Sequence, residues 1–494
     1  MSVLSGLEPK KVFHYFEEIT KIPHGSGNMQ QISDYLVQFA QERQLFCIQD
    51  EWKNVIIIKE ATPGYEEEPA LILQGHMDMV AVKKPDCDID METEGLKVAV
   101  QGDLIYAQGT SLGGDDGIAV AYALAILDSD TIRHPRLEVV LTVEEEVGMD
   151  GARKVDLSML KGNRLLNLDS EEEGIFLASC AGGARVDCRV PVKETMMSGV
   201  FCEVLVGGLQ GGHSGGEIHK ERGNSNCLFG RLLKELGEKL PVGLVCVNGG
   251  LADNAIPRET KALLVIRPED VSEFERIVSE TEAQIAGELA GKDKGIYIHR
   301  RKTGEGTVAA MTIEDTKKLA GYLFLVPNGV QAMSADIPGL VETSLNLGVL
   351  KYDAQAVSDA AHAPNTLMAR FSVRSSVESA KYVLIGKLKV LTELCGGNIE
   401  VSGDYPGWKY RTDSPLRDKM VALYEHMYGQ KPKVEAIHAG LECGILGSKI
   451  HDLDCISFGP DMKDIHTTEE TLSISSTARV WDYLVRLLEE KDER

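Results

Sequence analysis

The chain has 494 residues, of which 43% are apolar, so it is long enough for two or more domains with sizeable cores. Its formal net charge of −24 argues against nucleic-acid binding, because no basic surplus is present to neutralise phosphates. No apolar run is long enough to cross a bilayer, and the N-terminal segment lacks the apolar core of a signal peptide. Ten cysteines without a CxxC pair indicate reduced thiols rather than disulfides or a cysteine zinc site. We therefore expect a cytoplasmic protein without membrane partners.

The first part of the chain alternates helical and strand patterns. Apolar residues at helical spacing predict two amphipathic helices, over 12–19 and 32–39. Short apolar or β-branched runs predict strands at 55–58, 70–73, 137–142 and 165–168. An apolar helix over 117–127 separates two of these strands. This alternation predicts an α/β sheet covered by helices on both faces.

From about residue 185 strand patterns dominate, for example at 199–206 and 262–267, and long helices are predicted over 271–289 and 377–394. Two segments, LLVIRPEDVSEFERIV and RFSVRSSVESAKYVL, share the form of a strand that ends in arginine and leads into a helix. This similarity is either a duplication inside a second domain or a chance likeness.

The C-terminal part returns to the α/β pattern. It predicts a strand at 399–401, a helix over 416–428, a strand at 455–458 and a final helix from residue 476. We therefore predict one α/β domain built from residues 1–184 and 397–494, with an α+β domain inserted between them at residues 185–396.

Acidic residues and a histidine follow three of the predicted strands. His76 and Asp78 follow the first in LILQGHMDMV, a glutamate run follows the second in LTVEEEVGMDGA, and Asp169 follows the third in RLLNLDSEEEG. Between the first two, Asp115 and Asp116 open a helix in GTSLGGDDGIAVAYA. Sites in open α/β sheets form beyond the carboxyl ends of the strands, so a site is expected at this edge.

These residue types suit divalent metal ions. Imidazole together with carboxylates is the ligand set of zinc, and also of manganese or cobalt. A carboxylate that binds through both oxygens could bridge two metals about 3.5–4 Å apart. One further histidine would complete such a pair, and His438, His451 and His466 are the C-terminal candidates.

Each of these sequence motifs, taken alone, also has an ordinary structural interpretation. A His–Asp pair is often structural, a Gly-Gly-Asp-Asp loop is often a turn or a helix cap, and glutamate runs are usually solvated. The combination of the pieces, in this order and at strand ends, favours the metal site.

Seven motifs keep one order along nearly the whole chain: HMDMV, GGDDG, EEVGMDGA, LLNLDSEEEG, GGHSGGEIH, NAIPRE and HAGLECG. Together they resemble the aminoacyl-histidine dipeptidases, the cytosolic non-specific (Xaa-His, carnosine-type) dipeptidases of the M20 metallopeptidase family. The resemblance implies a zinc-exopeptidase-like catalytic domain with a mixed sheet between helices, and an inserted lid domain that closes over the site. It also implies a homodimer.

The resemblance implies two Zn²⁺ ions per site, with Co²⁺ or Mn²⁺ as possible substitutes. The implied ligands are His76 and Asp169 for one metal, Glu146 and His466 for the other, and Asp115 for both. The family pattern often has Asn at the position of Asp116. Asp115 is preferred as the bridge because it keeps the spacing to EEVG.

The resemblance also assigns the catalytic roles. Asp78 would orient His76 through the free ring N–H. Glu145 would be the general base that takes a proton from the attacking water and passes it to the leaving amine. His213, in the inserted domain, would stabilise the oxyanion. Glu144 is expected to point away from Glu145 by strand alternation and to have no special role.

The implied reaction is hydrolysis of Xaa-His dipeptides such as carnosine, and of other dipeptides. Arg374 would bind the substrate carboxylate with help from Asn254, Arg267 is the rival arginine, and Glu442 would bind the substrate ammonium group. An N-acyl amino-acid deacylase of the same fold is the alternative, and its substrates would offer no ammonium group to Glu442. A non-catalytic metal- or peptide-binding relative is disfavoured, because all the proposed ligands and the base are present.

Overall fold

The N-terminal part of the chain alternates helices and strands, as its sequence predicts. The computed structural model describes residues 2–354 and 365–492. Residues 2–180 form α1 (Lys10–Thr20), α2 (Gln30–Glu42), β1 (Phe46–Gln49), β2 (Val55–Lys59), β3 (Leu71–His76), β4 (Val98–Gln101), β5 (Leu104–Ala107), α3 (Gly114–Leu127), β6 (Leu137–Thr142), α4 (Asp150–Lys154), β7 (Arg164–Asn167) and β8 (Ile175–Cys180).

Long strands dominate the middle of the chain. It contains β9 (Gly182–Pro191), β10 (Glu194–Gly207), β11 (Gly212–His213), α5 (Ser225–Lys239), β12 (Gly243–Gly249), β13 (Ala255–Ile256), β14 (Thr260–Ile266), α6 (Val271–Glu288), β15 (Tyr297–Met311), α7 (Ile313–Leu325), β16 (Gly329–Met333), β17 (Val341–Asp353), β18 (Thr366–Ser375), α8 (Glu378–Leu394) and β19 (Asn398–Tyr405), with short 3₁₀ helices at Ile218–Lys220 and Pro268–Asp270.

The C-terminal part returns to alternating elements. They are α9 (Pro415–Tyr428), β20 (Lys433–Ile437), α10 (Glu442–Lys449), β21 (Asp454–Ser457), β22 (Met462–Lys463), β23 (Thr471–Ser473) and α11 (Ile474–Glu489). No helix in the described part of the chain is long and apolar enough to cross a membrane.

The chain divides into two units. Within the described ranges, the first unit comprises Met1–Cys180, Trp408–Ala436 and Leu441–Arg494, and the second comprises Ala181–Gly407 and Ile437–Gly440. The predicted domains also include residues 1, 355–364 and 493–494, which lie outside the described residues. The predicted catalytic and lid limits remain predictions.

An eight-stranded mixed sheet organises the first unit, in the order β1-β2-β6-β3-β7-β21-β8-β20. Its central neighbours β6, β3, β7 and β21 are parallel, whereas β1, β2 and β8 pair antiparallel. The predicted strand at 137–142 is confirmed as β6, and the one at 70–73 extends further than predicted, to His76. Because the central strands are parallel, the residues that follow β3, β6 and β7 come out at one edge of the sheet.

Helix α3 is buried along its whole length, as expected for a helix that is apolar on all sides. At its C-terminal end, the Lys59 ammonium group donates to the main-chain oxygens of Ile126, Leu127 and Ser129 at 3.2, 3.0 and 2.6 Å. A cation at this end satisfies free carbonyls and complements the helix dipole. The Glu470 carboxylate lies at the opposite end.

The second unit contains a nine-stranded antiparallel sheet, in the order β15-β10-β14-β12-β17-β18-β9-β19, with β16 on β17. Buried residues of α5, α6, α7 and α8 share one hydrophobic core with this sheet. The α+β class predicted for this part is confirmed. Strand β19 covers the strand predicted at 399–401, which the sequence placed in the first domain. It pairs with β9, so in the structure it belongs to the second unit.

Candidate metal centre

His76 is the last residue of β3, and its ring is buried. Its Nδ1 lies 2.9 Å from the main-chain oxygen of Asp78. Because a carbonyl oxygen only accepts, Nδ1 carries the proton of this bond, which leaves Nε2 as the atom that could bind a metal. Burial opposes a charged ring, but Asp169 and Asp115 outweigh it and hold the pKa of His76 well above its ordinary value.

The two carboxylate oxygens of Asp115 face two different imidazoles. Oδ1 lies 3.0 Å from Nε2 of His76, and Oδ2 lies 3.0 Å from Nε2 of His466. Burial alone would raise the pKa of Asp115, but His466 and His76 lower it below the usual range. One carboxylate between two imidazoles is the arrangement that a bridging ligand requires.

Each imidazole has a second carboxylate beside it. Asp169 Oδ1 lies 3.5 Å from His76 Nε2, and Glu146 Oε2 lies 2.9 Å from His466 Nε2. The structure therefore brings together all five residues that the sequence proposed as ligands, in two sets that share Asp115. Of the three C-terminal histidine candidates, His466 is the one that the structure places beside Asp115.

Asp116 lies close to the first set. Its Oδ2 accepts from the main-chain N–H of His76 at 3.2 Å, and its Oδ1 has no hydrogen-bond partner among the described residues. Donor atoms of His76, Asp116 and Asp169 lie within 4.8 Å of one another. Burial and the neighbouring Asp169 raise the pKa of Asp116 well above its ordinary value. Asp116 is thus a geometric alternative to Asp115 for the His76 side only.

The donor set fits divalent cations. Burial, together with the nearby carboxylates of Asp115 and Glu442, raises the pKa of Asp169 to about 7. Glu146 Oε1 has no hydrogen-bond partner in the described ranges, as is the case for Asp116 Oδ1. Buried carboxylates without partners are costly unless a cation neutralises them. Imidazole nitrogens with carboxylate oxygens suit zinc, manganese or cobalt.

Asp78 holds the turn that follows β6. Its Oδ1 accepts from the main-chain N–H of Glu145 at 3.1 Å, and its Oδ2 accepts from that of Glu146 at 3.4 Å. Ser26 Oγ also donates to Oδ2 at 2.8 Å, and Oδ1 lies 3.5 Å from Nδ1 of His76. Asp78 therefore connects the His76 ring with the glutamate turn. The sequence reasoning missed Ser26, which is part of the HGSGN segment.

The expectation for Glu144 rested on an incorrect assumption. Strand β6 ends at Thr142, so the glutamates lie in a turn and strand alternation does not apply to them. Glu144 has a φ of 58°, and its Oε1 accepts from the main-chain N–H of Gly27 at 2.9 Å. The next residue, Glu145, is held through its main chain by Asp78. Burial raises the pKa of the Glu145 carboxyl well above its ordinary value.

Glu442 is the first residue of α10 and is fully buried. Its Oε2 accepts from Gln74 Nε2 at 2.5 Å and from Thr142 Oγ1 at 2.6 Å, which places it beside the ends of β3 and β6. Its Oε1 has no hydrogen-bond partner in the described part of the chain. Burial raises the pKa of Glu442 to about 7.

A second group of predicted residues lies in the second unit. His213, on β11, pairs with Ala255 of β13, and the neighbouring Ser214 N–H donates to the main-chain oxygen of Asn254 at 2.8 Å. Burial and the charge of Arg374 lower the pKa of His213. The fold thus brings His213, on this small sheet, close in the chain pairing to Asn254, which directly precedes β13.

Arg374, on β18, is half-buried. Its Nη1 donates to Tyr405 Oη at 3.3 Å, and its Nε has no hydrogen-bond partner among the described residues. Ser344 lies opposite it on β17, and Ser344 Oγ lies 2.7 Å from Nε2 of His438. The rival Arg267 is exposed, and its Nε donates to Asp270 at 2.7 Å. The sequence reasoning missed Ser344 and Tyr405, which no motif marked.

His438 and His451 do not join the metal ligands in the described structure. His438 pairs with Ser344, and burial together with Arg374 lowers the pKa of His438 to about 3. His451 is exposed after the end of α10.

Residues 72–490 match the model of the peptidase family M20/M25/M40. The cytosol non-specific dipeptidase of Escherichia coli (strain K12) is 35% identical over 492 residues, which cover 99% of this chain and 99% of that protein. The crystal structure of aminoacylhistidine dipeptidase from Vibrio alginolyticus superposes with a TM-score of 0.91 at 35% identity, covering 99% of this chain and 98% of that one. A Staphylococcus aureus tripeptidase superposes with a TM-score of 0.57 at 15% identity, covering 98% of each chain, and shares the fold alone.

Proposed function

Because the chain belongs to the peptidase family M20/M25/M40, we propose that it is a metal-dependent dipeptidase that hydrolyses Xaa-His dipeptides such as carnosine, and other dipeptides. The observation that carries the proposal is the position of Asp115 between two imidazoles, each with its own second carboxylate. The names of the Escherichia coli and Vibrio alginolyticus relatives support the dipeptide substrate.

His76, Asp115 and Asp169 would hold one Zn²⁺ ion. His466 and Glu146 would hold a second ion together with Asp115, and Co²⁺ or Mn²⁺ could substitute in either place. When bound, such ions supply charge stabilisation for the oxyanion and lower the pKa of the attacking water towards about 7.

Glu145 is the proposed general base. It accepts the proton of the attacking water on its carboxylate and later gives that proton to the leaving amine. A residue that must accept and then donate a proton needs a pKa closer to neutrality than a solvated glutamate has. The burial of Glu145 acts in that direction. Asp78 fixes the main chain of the turn, so the carboxylate of Glu145 is presented by a held backbone.

The two ends of a dipeptide need opposite charges. We assign the ammonium end to Glu442, whose Oε1 has no hydrogen-bond partner among the described residues. We assign the carboxylate end to Arg374, with Asn254 assisting, because Arg374 is half-buried and Arg267 is already paired on the surface. His213 is the proposed donor to the oxyanion, and its lowered pKa leaves a neutral ring with one N–H to donate.

A substrate panel tests the proposal. Purified protein loaded with Zn²⁺, Mn²⁺ or Co²⁺ would be assayed with carnosine, other Xaa-His dipeptides, dipeptides without histidine and N-acetyl amino acids. We expect hydrolysis of the dipeptides and its loss with a chelator. Preference for the N-acetyl substrates would instead favour a deacylase, because they lack the ammonium group that Glu442 would bind. Metal binding without turnover would favour a non-catalytic relative.

Location and assembly are further proposals. The name of the Escherichia coli relative refers to the cytosol, and the ten cysteines are free thiols in the structure, so we propose a cytoplasmic enzyme. We also propose a homodimer, on the family resemblance alone. Sedimentation analysis would test it, and a monomer at assay concentration would contradict it.

A further inference from the structure

We propose that Glu470 is a positioning residue that holds the loop of Asp115 and the segment of His466 in register for metal binding. This inference rests on the metal site of the proposed function. It concerns a carboxylate whose hydrogen bonds in the described structure come from main-chain N–H groups, so that it would act on the ligands through the main chain.

The Glu470 carboxylate accepts from four consecutive main-chain N–H groups. Oε2 accepts from Leu112 and Gly113 at 2.7 and 3.1 Å, and Oε1 accepts from Gly114 and Asp115 at 2.8 and 3.4 Å. These groups lie at the start of α3, where helix N–H groups have no partner within the helix. A carboxylate there also complements the helix dipole. The last of the four N–H groups belongs to the proposed bridging ligand itself.

The glycines of the GGDD loop allow this close approach. Gly113 has a φ of 69°, a conformation that other residues rarely adopt, and a Cβ there would lie 2.8 Å from Met79 Sδ. A Cβ on Gly114 would lie 3.3 Å from Glu470 Oε1. A side chain on Gly113 would therefore clash with Met79, and one on Gly114 would crowd the carboxylate.

Glu470 also controls the position of His466, because the two residues share one short segment. Within it, Glu470 N–H donates to Thr467 O at 3.4 Å and Thr467 Oγ1 donates to Asp464 O at 2.6 Å. The same segment therefore contacts Asp115 twice. His466 Nε2 lies next to Asp115 Oδ2, and Glu470 Oε1 accepts from the main-chain N–H of Asp115. Because this link holds Asp115 and His466 in place before a metal ion binds, metal binding has less side-chain freedom to remove.

The neighbouring Glu469 provides a matched control. It is exposed, and its Oε1 pairs with Lys84 Nζ at 2.6 Å on the surface. In Glu470→Gln, one carboxylate oxygen becomes an NH₂ group. An NH₂ group cannot accept hydrogen bonds, so two of the four main-chain N–H groups lose their acceptor. Glu470→Asp keeps the charge with a shorter reach. Glu469→Gln removes one surface charge and leaves the loop untouched.

The experiment measures zinc dissociation constants of the metal-free variants by competition with a chromophoric chelator, at a temperature well below unfolding. Glu470→Gln is expected to weaken zinc binding by about 10–100-fold, the usual effect of losing a group that supports a metal ligand. Glu470→Asp should recover part of that loss. Glu469→Gln should bind zinc as the wild type does.

Thermal unfolding of the same metal-free proteins separates positioning from simple helix capping. If Glu470→Gln lowers the unfolding temperature but binds zinc with the wild-type constant, Glu470 is only a cap and the inference is wrong. If Glu470→Gln does not fold, Glu470→Asp decides the matter by the same comparison. A wild-type protein that binds no zinc would refute the proposed function, and this inference with it.

Discussion

The histidines of the two proposed site clusters, one in each unit, have opposite electrostatic surroundings. In the first unit, His76 and His466 lie among carboxylates, and hydrogen bonds to Asp115 and Glu146 raise the pKa of His466 to about 10. In the second unit, burial and Arg374 lower the pKa of His438 to about 3. The carboxylates around His76 and His466 thus favour positive charge, whereas the surroundings of His438 keep its imidazole neutral. Under the proposed function, the first cluster would hold metal ions and the second would meet the carboxylate end of the substrate.

Removing the proposed bridging carboxylate should have the largest effect on metal content and activity. Asp115→Asn replaces one ligand oxygen with an NH₂ group, so we expect loss of metal and a fall in kcat/KM of about 1000-fold or more, given that metal catalysis supplies several kcal/mol. Metal analysis together with steady-state kinetics checks this. Asp116→Asn is the companion variant, and it should retain most metal. The reverse result would make Asp116 the ligand.

The proposed base should have a large effect of a different kind. Glu145→Gln should keep both metals while kcat falls by about 10²–10⁴-fold, the usual contribution of a positioned base. Glu144→Gln is the control, because its amide oxygen can still accept from Gly27 N–H, and we expect little loss. Normal turnover by Glu145→Gln would show that another group accepts the proton.

Changing Arg374 tests the second cluster. Arg374→Ala should lower kcat/KM for dipeptides by about 10–100-fold, because a hydrogen bond to a charged group contributes about 1.5–3 kcal/mol. A dipeptide amide, which has no carboxylate, should be affected much less. Arg267→Ala should resemble the wild type, since Arg267 is exposed and paired with Asp270. If Arg267→Ala shows the larger loss, the two arginines must exchange roles.

The smallest effect concerns pH and stability. The pKa of His438 is lowered in the folded state, so the unfolded chain binds more protons and folding stability decreases as pH falls below about 6.5. Between pH 6.5 and 5, the loss of folding free energy caused by His438 is about 2 kcal/mol at most. His438→Gln should flatten this part of the pH dependence in denaturant unfolding of the metal-free protein. An unchanged slope would mean that His438 does not titrate in this way.

The position of part of the proposed metal cluster could be read from the sequence, because His76 and Asp169 stand at the ends of predicted strands, whereas the metal-binding role of these residues stays a prediction. Strand patterns ended near His76 and Asp169, and parallel strands bring their ends to one edge. The choice of His466 over His438 came from the family resemblance, since composition and spacing left both open. The structure supplies the physical distinction, because His438 is engaged by Ser344.

Other features depend on contacts that no local pattern records. Glu470 meets the Asp115 loop across more than half of the chain, and its sequence neighbourhood is a run of ordinary polar residues. The error about Glu144 arose because strand alternation was extended past Thr142, where the chain turns. The place of β19 in the second unit could not be read from the sequence, because its pairing with β9 is a tertiary choice that an alternating pattern alone does not encode.

The most direct test of the central claim is a crystal structure of the zinc-loaded protein with anomalous scattering at the zinc edge. We predict two zinc peaks about 3.5–4 Å apart, with Asp115 between them, His76 and Asp169 on one ion, and His466 and Glu146 on the other. A single peak at His76, Asp116 and Asp169, or no peak among these residues, would contradict the account.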